Sequence, residues 1–122
     1  MTDTEQADLP DRFSAVHRMI GGVRVVTVRG EIDHDVGELL SAALLSGYGE
    51  APPSRIVVDL SGVTFMDSSG INVFVTAHQA VSGGAGWLRI AAARKPVLRV
   101  LGLTGIDALV TCHPTLEQAL EP

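Results

Sequence analysis

The sequence predicts an α/β fold: a mixed β-sheet of about five strands, opened by an antiparallel hairpin, with about four helices packed against it. Three observations carry that expectation. Phe13–Ile20 and Val23–Arg29 flank Gly21-Gly22, and two glycines supply the positive φ angles of a tight two-residue hairpin turn. Further on, short apolar runs alternate with segments of helical apolar spacing, the pattern of strand–helix–strand units. The changes between them fall at Gly, Pro, Asp and Ser, residues that stop or cap elements.

In chain order, Val23, Val25, Val26 and Val28 suit a strand with a buried face. Gly30-Glu31-Ile32-Asp33 leaves that strand, and Asp33 or Asp35 caps a helix with Val36, Leu39, Leu40, Ala43 and Leu44 on its apolar stripe. Gly47, Gly49 and Pro52-Pro53 end it. Arg55–Leu60 reads as a buried strand, and Val63–Met66 as a separate segment leading into Asp67-Ser68-Ser69-Gly70. A second helix comes next, with Ile71, Phe74, Val75, His78 and Val81 at helical spacing, stopped by Gly83-Gly84 and Gly86. Trp87–Ala93 is the next strand; Pro96 opens a third helix that Gly102 and Gly105 close. Ala108–Cys112 is a last strand and Pro114–Leu120 a short helix. The alternations Val23-Arg24-Val25 and Leu88-Arg89-Ile90 predict partial exposure of the sheet.

The chain has 122 residues, 46% of them hydrophobic and 19% charged, with a formal net charge of −5. That length supports one domain with a real core. Asp3, Glu5, Asp8 and Asp11 against Arg12 leave residues 1–12 at −3, so this stretch reads as a mobile acidic tail and residues 13–120 as the folded domain. The acidic balance excludes sequence-independent nucleic-acid binding, which runs on basic residues meeting phosphates. No apolar run reaches the roughly 20 residues of a membrane helix, and the polar, acidic N-terminus is the opposite of a signal peptide. A cytoplasmic protein is expected, with neither membrane nor nucleic acid as direct partner. The single cysteine, Cys112, cannot form an intramolecular disulfide, and His17, His34, His78 and His113 show no metal-ligand spacing. No metal or cofactor is expected.

The chemistry-bearing segment is Asp59-Leu60-Ser61-Gly62-Val63-Thr64-Phe65-Met66-Asp67-Ser68-Ser69-Gly70. Asp67, Ser68 and Ser69 sit where an apolar segment enters a helix, and one of them capping the first turn is the plain structural reading. Two hydroxyls, a carboxylate and a glycine exceed what a cap requires. A hydroxyl at that point is exposed at the positive end of a helix dipole, where a phosphate would be partly stabilised.

This segment closely resembles the signature of the anti-sigma factor antagonists built on the STAS domain. Gly30-Glu31-Ile32-Asp33 matches that family's turn before its first helix, and Leu103-Thr104-Gly105-Ile106 resembles the turn after its third. The resemblance spans residues 13 to about 120 and implies a STAS-type mixed sheet and a non-enzymatic switch protein. In that family the serine after the aspartate is phosphorylated by the anti-sigma factor, itself a serine kinase; only the unphosphorylated antagonist grips it and frees the sigma factor. Carried over by position, the phosphorylation site is Ser68, with Asp33, Asp67, Ser69, Gly70, Ile71 and Asn72 as partner-binding residues. The implied partners are that kinase and a serine phosphatase. Ile71-Asn72 replaces the family's usual Leu-Gly, Thr104 its usual serine, and Ala77-His78 stands where a basic residue is common.

Other readings are poorer in residues. A STAS scaffold or sensor module binding a small ligand or nucleotide would keep the fold and use Ser68 only as a cap. Glu31, Asp33, Asp59 and Lys95 imitate a receiver domain, but such domains open with a parallel βαβ unit, not a hairpin. No Gly-x-Ser-x-Gly elbow surrounds Ser68 or Ser69, which argues against a hydrolase. Cys112, at an apolar strand end, reads as a packed thiol.

Overall fold

The computed structural model describes residues 13–46 and 53–122. The acidic stretch 1–12 and the helix stop at Gly47, Gly49 and Pro52 lie outside the described residues. One five-stranded sheet has the order β1-β2-β3-β4-β5, so strands adjacent in sequence are adjacent in space. The hairpin joins β1 (Phe13–Ile20) to β2 (Val23–Ile32), antiparallel, with Ile20 opposite Val23. Gly21 and Gly22 hold φ of 57° and 82° in its turn, the conformation that the sequence pattern required. β3 (Arg55–Met66), β4 (Trp87–Ala91) and β5 (Thr111–His113) then add in parallel.

Helices α1 (Gly37–Leu45), α2 (Ser68–Ser82), α3 (Lys95–Thr104) and α4 (Leu116–Ala119) connect these strands or come after them. Successive strand residues point to opposite faces, and the sheet accordingly feeds two cores. The larger joins Val26, Val28, Ile56, Val58 and Ile90 to Leu40 and Leu44 of α1, Phe74 of α2, and Val97 and Leu101 of α3. The smaller, on the other face, joins Val23, Val25, Val57 and Ala91 to Leu116 and Ala119 of α4. Leu39, expected on the apolar stripe of α1, faces solvent instead.

Several elements differ from the sequence expectation. Gly30–Ile32 does not leave β2; it continues the strand, and Gly30 takes φ 98° there. Val63–Met66 is no separate segment but the end of a twelve-residue β3. Two register shifts explain this: the three residues Thr27 to Arg29 of β2 oppose the four from Asp59 to Gly62 of β3, and the two from Gly30 to Glu31 oppose the three from Val63 to Phe65. Each bulge inserts an extra residue and resets which face the strand presents. The buried positions therefore run Leu60, Val63, Met66 at intervals of three, which breaks the two-residue alternation. At Gly62 the strands run so close that a Cβ would stand 2.8 Å from Arg29 Cγ.

The two interrupting arginines differ in exposure, Arg24 being buried and Arg89 half-exposed as the alternation predicts, but both are held by carbonyls. Arg24 is buried and its Nη1 donates to the carbonyls of Ser46 at 2.7 Å, Ala43 at 3.3 Å and Leu44 at 3.4 Å. A fixed cation thus meets the orphan carbonyls at the negative end of α1. Arg89 does the same on the other face, donating to Ala119 at 2.9 Å and Glu121 at 2.6 Å beyond α4. The remaining differences are at ends. β4 stops at Ala91, before Ala92 takes φ 59°. Gly102 lies inside α3, and Gly105 alone caps it in the left-handed conformation. A 3-10 turn over Ile106–Ala108 delays β5 to Thr111, and Thr115 caps α4, which shortens that helix to one turn.

Candidate functional site

The site lies where β2 and β3 deliver their C-terminal ends, the usual place for function in sheets with parallel strands. Ile32 and Met66 are register partners, so Asp33 and Asp67 leave adjacent strands side by side. The Asp67 amide donates to the Ile32 carbonyl at 3.1 Å and ties the two exits together. Each aspartate then caps the next element of its own strand exit. Asp33 Oδ1 accepts from the Asp35 amide at 3.0 Å and starts a 3-10 turn over His34–Val36. Asp67 Oδ1 accepts from the Ser69 amide at 2.8 Å and starts α2.

Capping by Asp67 decides the role left to Ser68. Its side chain is exposed, and no group among the described residues binds its hydroxyl. The hydroxyl therefore stands free at the first position of a fifteen-residue helix, at the positive end of its dipole. Ser69 is half-buried, Asn72 exposed, and Ile71 half-buried against the larger core. Gly70 is buried, and its amide donates to the Asp67 carbonyl at 3.1 Å. A Cβ there would stand 2.6 Å from Met66 Cγ and Sδ and 3.1 Å from Ile32 Cγ2. The close approach at Gly70 is thus between helix and strands, not toward solvent. Asp33, Asp67, Ser68 and Asn72 form one rim; Gly70 and Ile71 support it from beneath.

The sequence pattern did not single out Phe65. It is 48% exposed, three residues before Ser68, because the second bulge in β3 leaves both Thr64 and Phe65 outside while Val63 and Met66 stay buried. Only knowledge of the bulge would have revealed it, since strict alternation places Phe65 inward with Val63. At the other strand ends, Arg94 Nε donates to the Ser61 carbonyl at 2.7 Å and joins the start of α3 to β3.

The rival constellations find no support. The first strand pair is antiparallel, which a receiver topology does not allow. Asp59 is half-buried and accepts from the Ser61 amide at 2.9 Å within the first bulge. Among the described residues no group of three or more His, Cys, Asp or Glu is placed to hold a metal, and no helix is long and apolar enough to cross a membrane. Cys112 is half-buried, and burial, with the Asp107 carboxylate adding to it, pushes its thiol above the ordinary value. Both effects disfavour the reactive thiolate.

Comparison with known proteins agrees with this geometry. The anti-sigma-F factor antagonist RsfB of Mycobacterium tuberculosis is 29% identical over 114 residues, covering 91% of this chain and 89% of that one. The crystal structure of an anti-sigma factor antagonist from Mycobacterium paratuberculosis superposes with a TM-score of 0.79 at 30% identity, covering 91% of this chain and 93% of that one. The phosphorylated form of the Bacillus cell fate determinant SpoIIAA shares the fold, with a TM-score of 0.66 at 21% identity over 88% of this chain and 96% of that one. The family model of the STAS domain matches residues 15–119, nearly the whole described chain. With the sheet order, the hairpin and the paired aspartate caps already in place, the chain belongs to the STAS domain family.

Proposed function

We propose that this protein is an anti-sigma factor antagonist, a binding protein and not an enzyme, whose Ser68 is the acceptor of a phosphate that switches partner binding off. The observation that carries the reading is the free, exposed Ser68 hydroxyl beside a cap already supplied by Asp67. A serine needed as the cap would be committed to the backbone; this one is available to a kinase. The names of its relatives support an anti-sigma factor as the partner; that this partner is a serine kinase, that a serine phosphatase resets the switch, and that all act in the cytoplasm is part of the proposal.

The rim itself performs the switch. Asp33, Asp67, Ser68, Ser69 and Asn72 form the contact surface, held by Gly70 and Ile71. A phosphate adds about −1.5 to −2 charge at neutral pH. On Ser68 it lands next to Asp67 and at the same strand exits as Asp33, and repulsion and desolvation then weaken any complex that covers the rim. The helix dipole stabilises the phosphate locally, so no refolding is required. A coupling of about 1–3 kcal/mol changes affinity roughly 5–150-fold.

The test is phosphorylation by the anti-sigma kinase with ATP, mapped by mass spectrometry, together with a binding comparison. The unmodified chain should be labelled at Ser68 and Ser68→Ala should not be. Ser68→Asp should bind the kinase more weakly than the parent. Labelling that persists in Ser68→Ala, or equal binding of Ser68→Asp and parent, would remove the assignment.

A further inference from the structure

Helix α3 presents a cationic and apolar face to solvent. Arg94, its N-cap, and Lys95, Leu98, Arg99 and Leu103 are all exposed, Leu103 to 81%. Three and four residues apart, Lys95, Leu98, Arg99 and Leu103 share one side of the helix. No acidic residue occurs from Arg94 to Ile106, so this stretch is purely cationic in a chain of net charge −5. Arg94 uses its Nε on the Ser61 carbonyl. Among the described residues no carboxylate is within ion-pair distance of Arg94, Lys95 or Arg99. Asp107, the next acid in the chain, lies against Gly102 at the C-terminal end of the helix.

The same chain holds a segment of complementary chemistry. Residues 1–12 carry Asp3, Glu5, Asp8 and Asp11 against Arg12, with Leu9 among them. They lie outside the described residues, but the point where they join the fold is fixed. Phe13 opens β1 opposite Gly30 of β2, and Gly30 is the register partner of Val63 in β3. Arg94 is bonded to Ser61, two residues before Val63. The root of the segment and the start of α3 therefore lie at the same end of the sheet, separated by two strand spacings, about 10 Å, and the reach of one arginine. Twelve extended residues span about 40 Å, enough to pass Arg94 and follow α3 to Leu103. Single exposed ion pairs contribute little. A tethered segment, however, meets the face at an effective concentration on the order of millimolar, and the cations act together with the positive start of the helix. An anionic lipid surface is the other partner such a face fits, but a net charge of −5 opposes its approach. We propose that the acidic N-terminal segment docks on this face, with its carboxylates on Arg94, Lys95 and Arg99 and Leu9 against the exposed leucines. The docking needs no phosphate on Ser68 and stands apart from that reading.

The test places a nitroxide at position 6 of the full chain, through Gln6→Cys with Cys112→Ser, and reads the backbone amides by NMR. In 0.1 M salt the amides of α3 should broaden at least about threefold more than those of α4, on the other face of the sheet. The difference should disappear in 1 M salt, as the Debye length falls from about 10 Å to about 3 Å. Lys95→Glu with Arg99→Glu should abolish it; both positions are exposed, and an unchanged unfolding midpoint separates lost docking from a lost fold. Asp3→Asn with Asp8→Asn should weaken it without altering α3 at all. Broadening spread evenly over the fold, or unaltered by either pair of substitutions, overturns the proposal. Equal broadening of an isotope-labelled chain without the nitroxide, mixed with the nitroxide-bearing one, places the segment on a second copy and also overturns it. Binding of phosphatidylserine vesicles through α3 in 0.1 M salt would show the face open, with the same consequence.

Discussion

At the scale of single residues, the site depends on an absent side chain as much as on those present. Gly70 lets α2 rest on Met66 and Ile32, the residues from which Asp67 and Asp33 emerge. An alanine there would push its Cβ to 2.6 Å from the Met66 side chain, which is itself buried. Overpacking of this kind costs about 1–3 kcal/mol, partly offset by the roughly 0.5–1 kcal/mol that alanine gains over glycine in a helix. Gly70→Ala should therefore lower the urea midpoint and slow phosphorylation of Ser68, because the start of the helix moves with its cap. Gly83→Ala is the control: it lies just beyond the other end of α2, where a Cβ meets nothing within 4 Å, and should leave both measurements unchanged. The sequence made this site legible as a helix start with surplus hydroxyls. It could not say which of Asp67, Ser68 and Ser69 caps, because all three are competent to accept the orphan amides. The 2.8 Å bond from the Ser69 amide to Asp67 settles that and leaves Ser68 free.

Among the elements, the strands were legible where alternation is unbroken and misread where it is not. The hairpin register comes directly from its glycine pair. The pattern ends β3 at Leu60 because its bulges space Leu60, Val63 and Met66 by three, an interval that composition cannot separate from a turn. The same shifts expose Phe65 beside the rim. Arg24 misled for another reason: a polar residue on a strand normally signals solvent, whereas Arg24 is buried and serves the C-terminal carbonyls of α1, as the half-exposed Arg89 does beyond α4. That contact is tertiary and leaves no local signature. It predicts that Arg24→Met, which keeps the length of the side chain, destabilises the fold by about 1.5–3 kcal/mol, the range for hydrogen bonds to a charged group. Arg24→Lys should recover part of the loss through charge alone. Denaturant unfolding of the three proteins measures this; a methionine variant as stable as the parent would show that the arginine contributes nothing to holding α1.

Across the whole molecule, two cores of unequal size share one sheet. The larger is built under three helices, the smaller under a single turn of helix. A separate fate for each core would let the α4 side melt first. The strands forbid it, because Val25 and Val26, Val57 and Val58, and Ile90 and Ala91 are neighbours in the chain that serve opposite cores. Losing the backbone of β2, β3 or β4 removes both at once, as expected of a small two-state domain. Trp87 packs at the smaller core and reports on that side, whereas circular dichroism weighs the helices of the other. The two signals should therefore disappear at one urea concentration. Phe74→Ala, which empties a fully buried position of the larger core while Trp87 packs at the smaller one, should lower both midpoints together by an amount equivalent to about 3–5 kcal/mol. Against a total of about 5–15 kcal/mol for a domain, that is a large share, and the variant should sit near the edge of stability. If fluorescence kept its midpoint while circular dichroism moved, the α4 face would be an independent unit and the sheet would not couple the two ends of β3. If both move, the sheet couples the two ends of β3, since unfolding either end requires unfolding the same strands.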